Sequence, residues 1–249
     1  MPFTRSTINK SLRTAIKVAE HFHFALPPYS HWSLDQWDKA GPEHDEVRDC
    51  MLGWDVTDFG SGEFENIGRV LFTLRNGRSN DPRYPKAYAE KLLIDPENQR
   101  APAHFHRSKR EDIICRHGGN ILVQLTKATP EGGWSDDNFP IQVNACTRIL
   151  GPREIVRLTP GESLTIPPGT IHQFWAEEGT GWEFEGGRYS LSSEISSVCD
   201  DWNDNVFFEE WAIRFPQIVE DEPRDFYLCQ EYPKACAFDQ SQSANTRCW

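Results

Sequence analysis

The chain has 249 residues, of which 38 are acidic and 26 basic, and its formal net charge is −12. A hydrophobic share of 38% with nine tryptophans and 15 phenylalanines is enough for a core and excludes a disordered chain. The acidic balance leaves no large basic face, so we expect no nucleic-acid partner and no anionic membrane surface. A small molecule is the expected partner.

The seven cysteines are odd in number, scattered along the chain and without a Cys-x-x-Cys pair. This pattern is typical of reduced thiols and argues against a disulfide framework or a cysteine-based zinc cluster. No segment has the apolar length that a bilayer span requires, and the first residues contain no signal-peptide core. We therefore expect a cytoplasmic protein.

Two helices are predicted at the start of the chain. Apolar residues recur at helical spacing over residues 6–22, which predicts one amphipathic helix. This helix is expected to end before Pro27, because proline restricts the residue that precedes it. Ser33 is suited to cap a short second helix over residues 34–39. Together they form a predicted N-terminal appendage, about residues 5–40.

Further along, short apolar or alternating runs are separated by glycine and proline. Their spacing of roughly 8–15 residues is typical of an all-β sandwich or barrel. The predicted strands are residues 69–74, 88–94, 120–125, 155–158, 163–166, 172–175, 182–184 and 189–195. No internal repeat or linker is visible, so we predict one mostly β domain over residues 1–249, with its barrel at about 50–230. The polar last dozen residues are expected to be loose.

His104 and His106 are the first candidates for chemistry. Residues i and i+2 of a strand point to the same face, so their imidazoles are expected to lie side by side. Glu111 follows five residues after His106. Imidazole and carboxylate together suit a divalent first-row metal. Taken alone, however, such a histidine pair is more often a chance surface feature than a metal site.

A second segment, residues 161–172, changes this assessment. It predicts a strand, a tight Pro-Gly turn and a returning strand that begins near His172. The two segments resemble the two signature motifs of the cupin superfamily, H-x-H-x4-E-x6-G starting at His104 and G-x5-P-x-G-x2-H ending at His172. This resemblance implies a double-stranded β-helix (jelly-roll) barrel. It also implies a metal in the barrel mouth, bound by His104, His106, Glu111 and His172.

The chain departs from the cupin pattern at two architectural positions. Asn98 stands six residues before His104, where the family usually has glycine, and Ala176 stands where an asparagine is frequent. Neither position belongs to the implied ligand set. The departures therefore concern the backbone of the fold and leave the metal site intact.

A closer resemblance covers most of the chain between residues 30 and 210. The matching blocks are residues 52–62, 70–77, 90–91, 104–113, 187–198 and 200–205. They resemble the D-lyxose isomerase family and are more specific than the cupin motifs. The resemblance implies an aldose–ketose isomerase, an intramolecular oxidoreductase that interconverts D-lyxose and D-xylulose, with D-mannose and D-fructose as a further pair. It implies Mn²⁺ as the favoured metal, with other divalent first-row metals as substitutes, and a homodimer.

The implied reaction transfers a proton between C2 and C1 through a cis-enediol, while the metal polarises the carbonyl. Glu194, on an alternating run, is the first candidate for the carboxylate that moves the proton, and Asp204 is the second. Lys109 matches a lysine of the family and is assigned to catalysis and substrate binding. Lys91, Glu111 and Asp204 are also assigned to the substrate. The alternative for each lysine is a solvated surface charge.

Two other functions remain open at this point. The same ligand set can hold Fe(II) in a cupin dioxygenase. An oxygenase that acts on aromatic substrates more often has an apolar pocket, whereas this sequence places lysines near the metal ligands. A non-catalytic sugar-binding cupin is the third reading, but no DNA-binding helix pattern accompanies the motifs and each motif occurs once. Trp175, close to His172 in the sequence, is a candidate for an apolar wall against a sugar face.

Overall fold

The structure, a computed structural model, describes residues 2–236. The predicted loose tail lies outside these residues. Three α-helices come first: α1 Arg5–His21, α2 Leu34–Lys39 and α3 Asp45–Asp49. The strands that follow are β1 Gly53–Thr57, β2 Arg69–Arg75, β3 Tyr88–Pro96, β4 His104–His106, β5 Glu111–His117, β6 Ile121–Lys127, β7 Phe139–Val143, β8 Cys146–Leu150, β9 Glu154–Leu158, β10 Ser163–Ile166, β11 Thr170–Ala176, β12 Trp182–Phe184, β13 Gly187–Ser197 and β14 Asn205–Phe207.

The two predicted helices are confirmed. Helix α1 begins one residue earlier than predicted, where the Thr4 side chain accepts a hydrogen bond from the Thr7 N–H, and it buries Ile8 and Leu12 completely. Helix α2 begins with the predicted Ser33 cap, to which the Gln36 side chain adds a reciprocal hydrogen bond. Helix α3 was missed because five residues are too few to establish a helical period. Within the described residues, no helix is both long and apolar enough to cross a membrane.

The strands form two antiparallel sheets, which confirms the mostly β prediction. One sheet has the order β1-β2-β3-β13-β5-β10-β7-β8, with β12 paired to β13, and the other has the order β14-β4-β11-β6-β9. A core of aliphatic and aromatic side chains, among them Ile113, Val123 and Phe174, is buried between them. All eight strands predicted by pattern are present, whereas β1, β5, β7, β8 and β14 were not predicted.

The Pro-Gly turn before His172 connects two sheets rather than two paired strands. Strand β10 pairs with β5 and β7, whereas β11 pairs with β4 and β6. Gly169 adopts a φ of +72° in the turn, and its N–H donates to the His106 carbonyl at 2.9 Å. This crossing sets His172 directly opposite His104. The returning strand therefore exists, but it returns on the other side of the core.

The two departures from the cupin pattern contact each other. Asn98 adopts a φ of +66°, the left-handed conformation for which glycine is usual and asparagine is the best-tolerated substitute. Its N–H donates to the Ala176 carbonyl at 3.1 Å. Asparagine therefore preserves the turn that leads toward β4 and its histidines.

The two ends of the described chain are joined through Arg5. This side chain is fully buried, and its guanidinium donates to the carboxylates of Glu220 and Glu231. The main chain adds two hydrogen bonds, because the Arg5 N–H donates to the Val219 carbonyl and the Val219 N–H donates to the Phe3 carbonyl. Residues 219–231 therefore act as a strap across α1 and hold it on the large sheet.

Candidate active site

Three histidines converge where β4 pairs with β11. His104 and His106 project from the same face of β4, as the i, i+2 spacing predicts, and His172 is the register partner of His104. One ligand atom from each of the three rings lies within 4.8 Å of the other two. The side chains of His106 and His172 are buried, and that of His104 is partly buried. The two sequence motifs thus meet at one point.

Backbone carbonyls orient two of these rings. The Nδ1 of His104 is 2.9 Å from the Pro102 carbonyl, and the Nδ1 of His172 is 2.9 Å from the Thr170 carbonyl. A carbonyl can only accept, so both Nδ1 atoms carry a proton, and in the neutral form of each ring the Nε2 atom keeps its lone pair. Burial and the neighbouring imidazoles hold the pKa of His104 well below its usual value. Neutral imidazole is the form that binds a metal.

Glu111 completes the cluster. Its Oε1 lies 2.9 Å from the Nε2 of His172 yet has no hydrogen-bond partner, and its Oε2 lies 3.5 Å from the Nε2 of His106. In the neutral form of His172 with its proton on Nδ1, the Nε2 lone pair faces a lone pair of Glu111 Oε1 at this distance. A divalent cation would satisfy both atoms, so the imidazole and carboxylate donors fit a first-row metal. The Nδ1 of His106 is likewise buried without a partner, 3.7 Å from Asp204.

Lys109 bridges two buried carboxylates beside these donors. Its Nζ is 2.6 Å from the Oε2 of Glu111 and 2.8 Å from the Oε1 of Glu194. Burial alone would lower the pKa of Lys109, but the two carboxylates raise it well above its usual value. Burial alone would likewise raise the pKa of Glu194, but Lys109 and Lys91 lower it. Glu194 is therefore an ionised carboxylate near neutral pH.

Lys91 is the second buried ammonium of the site. It is the register partner of Glu194, and its Nζ lies 3.9 Å from the Oε1 of Glu194. The same Nζ donates to the Cys199 sulfur at 2.8 Å and lies 3.5 Å from an Asp201 oxygen. Lys91 is 3% exposed and Lys109 is 4% exposed. The alternative of a solvated surface charge is therefore wrong for both lysines.

Asp204 is engaged with the loop that carries Lys109. Its Oδ1 accepts from the N–H and the hydroxyl of Ser108, and its Oδ2 accepts from the Lys109 N–H at 3.0 Å. Asp204 does not line the cavity that the histidines, Lys109 and Glu194 share. Its contacts fix the position of Lys109.

Arg214 and Asp201 belong to the site and were not singled out in the sequence. The Arg214 side chain is 10% exposed, and its Nη2 pairs with Asp55 and lies 3.5 Å from an Asp201 oxygen. Its Nη1 is buried without a hydrogen-bond partner. Asp201 falls inside the family-like block at 200–205, which is a usable signal, but nothing in the pattern around Arg214 points to it.

The walls of this reaction cavity are partly aromatic. Phe174 lies on β11, Phe207 on β14 and Phe59 on the loop after β1. Trp175, the predicted wall, is buried elsewhere with the Arg100 guanidinium 4.2 Å from its ring centre. Side chains alternate along a strand, so the neighbour of an inward-facing Phe174 faces away. The cavity is lined by Phe59, Arg69, Leu71, Lys91, Leu93, Ala101, His104, His106, Lys109, Glu111, His172, Phe174, Glu194, Asp201, Asn205, Phe207 and Arg214.

Comparison with known proteins gives a consistent result. The family model described as D-lyxose isomerase matches residues 3–232. The D-lyxose/D-mannose isomerase of Serratia proteamaculans is 40% identical over 228 residues, which are 91% of this chain and 96% of the relative. The D-lyxose/D-mannose isomerase of Escherichia coli O157:H7 is 41% identical over 229 residues, which are 92% of this chain and 97% of the relative.

A solved structure supports the fold at greater evolutionary distance. The L-ribose isomerase of Cellulomonas parahominis, solved with L-ribose, superimposes with a TM-score of 0.55 at 16% identity. The match covers 85% of this chain and 95% of that chain. At such low identity the likeness concerns the architecture of the two sheets.

Proposed function

The chain belongs to the D-lyxose isomerase family and is an aldose–ketose isomerase, and we propose that it interconverts D-lyxose with D-xylulose and D-mannose with D-fructose. The observation that carries the proposal is the buried Glu194 carboxylate, ionised by Lys109, beside a cluster of donors that fits a metal. Proton transfer between adjacent carbons needs a positioned base and a means of stabilising negative charge on oxygen.

We assign His104, His106, Glu111 and His172 as the metal ligands. Mn²⁺ is the proposed ion because the family resemblance implies it, and other divalent first-row metals suit the same donors. When bound, the ion polarises the sugar carbonyl and acidifies the neighbouring hydroxyl. The hydrogen bonds of His104 and His172 to backbone carbonyls fix their rings for this role.

Glu194 is the proposed base. Its Oε1 faces both lysines, so we assign Oε2 to remove the proton from C2 and to return it to C1 of the cis-enediol. The reaction balances when the hydroxyl proton on O2 passes to O1 in the same conversion. The Lys109 ammonium keeps Glu194 ionised before the transfer and stabilises the negative charge that develops on the sugar oxygens. Burial of the pair keeps water away from both groups.

The other charged groups of the cavity are assigned to binding and positioning. Lys91 and the unpartnered Nη1 of Arg214 donate to sugar hydroxyls, and Asp201 accepts from them. Asp204 is assigned to positioning, since both of its oxygens already accept hydrogen bonds from residues 108 and 109. Glu111, in addition to its role as a ligand, holds Lys109 beside the substrate.

The test is an assay of protein stripped of metal and reloaded with Mn²⁺. It is expected to form D-xylulose from D-lyxose and D-fructose from D-mannose without consuming oxygen. Oxygen uptake would instead favour a cupin dioxygenase. Sugar binding without ketose product in any metal-loaded sample would favour a non-catalytic cupin, and either result would overturn the proposal.

We further propose a homodimer in the cytoplasm. The scattered, odd-numbered cysteines support a reducing compartment. Two-fold dimers are the commonest homo-oligomers, which supports the oligomeric state.

A further inference from the structure

A second cavity, here called the outer cavity, adjoins the reaction cavity. Lys91 and Asp201 line both cavities, and Cys199, which accepts a hydrogen bond from Lys91, lines the outer one. The outer cavity has a volume of about 250 Å³, whereas the reaction cavity has about 60 Å³. The other lining residues of the outer cavity include Asp49, Asn76, Arg78, Ser79, Asp200 and Trp202.

The reaction cavity is the smaller of the two. An open-chain pentose has ten non-hydrogen atoms and a hexose has twelve. With C1 and C2 beside Glu194 and the histidines, the remote end of the sugar extends toward Lys91 and Asp201, and the sixth carbon of a hexose reaches furthest into the outer cavity.

The wall between the cavities is held in place by Asn76. Its side-chain oxygen accepts from the Cys199 N–H at 3.0 Å, and its amide donates to the Cys199 carbonyl at 3.0 Å. Cys199 in turn accepts from Lys91. The Lys91 ammonium is thereby fixed at the boundary, where it can donate to a hydroxyl on either side.

The lining of the outer cavity suits an uncharged polyol. The lining carries the carboxylates of Asp49, Asp200 and Asp201 and the cations of Arg78 and Lys91. Asp49 pairs with Arg83 at 3.3 Å, Asp200 accepts from the Asn203 side chain, and Asp201 lies 3.5 Å from Lys91. Because the lining has no surplus of positive charge, it disfavours a phosphate ester, and the carboxylate oxygens keep further lone pairs for hydroxyl groups. Trp202 adds an exposed indole, braced by the Phe215 ring 4.6 Å from it. An indole face suits the C–H face of a sugar chain.

We propose that the outer cavity binds the end of the sugar remote from the reacting carbons, and that it selects uncharged sugars and accommodates the sixth carbon of a hexose. The inference rests on the proposed isomerase function. It assigns the choice between hexose and pentose to residues outside the proposed catalytic and metal-binding set.

The first experiment compares the Mn²⁺-loaded wild type with the Ser79→Phe variant. Ser79 lies on a loop that lines the outer cavity, and phenylalanine there is designed to fill this cavity. The measured quantity is kcat/KM for D-lyxose and for D-mannose. We expect kcat/KM for D-mannose to fall at least tenfold, mainly through KM, and that for D-lyxose to fall no more than threefold. The matched control is Glu178→Phe, which adds the same ring at an exposed turn lining neither cavity, and both values should match the wild type.

A second measurement needs no variant. The wild type is expected to use D-mannose 6-phosphate with a kcat/KM at least 100-fold below that for D-mannose. Equal losses for both sugars in Ser79→Phe, no loss for either, or efficient use of the phosphate ester would overturn the inference. A wild type inactive on every sugar would overturn the proposed function instead.

Discussion

Buried charged side chains are concentrated at the candidate site. Lys91, Lys109, Glu111 and Glu194 are each less than 9% exposed, and removing such groups from water costs several kcal/mol per ion unless they are paired. Here each ammonium faces carboxylates within 4 Å, so the charges are retained. The buried charges of residues 91, 109, 111 and 194 therefore lower the stability of the folded protein, and the proposed chemistry explains why they are present.

Glu194→Gln separates proton transfer from metal binding. The amide keeps the shape of the side chain but cannot accept the C2 proton, so we expect kcat to fall about 10²–10⁴-fold. Metal content, measured by elemental analysis, should match the wild type because the histidines are untouched. A fully active variant would show that another group is the base.

His172→Ala tests the ligand set. This change removes one of three converging imidazoles and leaves Glu111 Oε1 facing an empty space, so we expect metal and activity to be lost together. The measurement is metal content and turnover in the same preparation. A suitable control is His117→Ala, because His117 lies at the exposed end of β5 and stacks on Phe22 away from the cluster. Metal retained by His172→Ala at the wild-type level would contradict the assignment.

Among the secondary-structure elements, the strands carry the proposed metal ligands, and an irregular segment lines the other side of the cavity. Strands β4, β5 and β11 carry the four proposed ligands, and β3 and β13 carry Lys91 and Glu194. The segment from 199 to 214, which contains only the three-residue strand β14, brings Asp201, Asn205, Phe207 and Arg214 to the same cavity. The strands that carry the ligands are held by backbone hydrogen bonds to neighbouring strands. The 199–214 segment is instead held by side-chain contacts such as that of Arg214 with Asp55.

The strap over α1 predicts a pH-dependent stability. Hydrogen bonding to Arg5 lowers the pKa of Glu220 from 4.5 to about 2 in the folded protein. Because the folded state favours the ionised form, the stabilisation is present above pH 4.5 and is lost as pH falls toward 2. We expect Glu220→Gln to lower the free energy of unfolding at pH 7 by about 1 kcal/mol, a modest value because Glu220 is half exposed.

The measurement is denaturant unfolding of wild type and Glu220→Gln between pH 7 and pH 2.5. The difference between the two proteins should shrink as the pH falls below 4.5. The control is Glu210→Gln, an exposed carboxylate with no ion pair among residues 2–236. A difference that stays constant with pH would show that the Arg5 contact does not stabilise the charged form.

Across the whole molecule, site residues that lie close together in the sequence were easier to predict than residues that only the fold brings together. His104, His106 and Glu111 lie within eight residues, so strand alternation and ligand chemistry made them candidates, although only the cupin resemblance implied that they form a metal site. His172 required the cupin pattern, because its approach depends on a turn that crosses between sheets. Arg214 carried no signal, since it reaches the cavity only through the folding of the 199–214 segment. Strand β14 was missed because three residues give no period.

The predicted homodimer is also a property of the whole molecule. One chain has a mass of 28.7 kDa, so light scattering coupled to size-exclusion chromatography should give a mass twice that value. We expect this mass to persist on dilution through the concentrations used for assays. A mass equal to one chain would contradict the predicted dimer but leave the active site, which this chain supplies, unaffected.

The Arg5 contact also sets an order of events during synthesis. Domains generally fold as the ribosome delivers them, starting from the N-terminus. Helix α1 emerges before the strands, yet the carboxylates that neutralise its buried guanidinium are 215 and 226 residues further along. An unpaired buried charge is strongly unfavourable, so α1 cannot dock stably until Glu220 and Glu231 have left the exit tunnel. Helix α1 is therefore made before the strands but secured only after them.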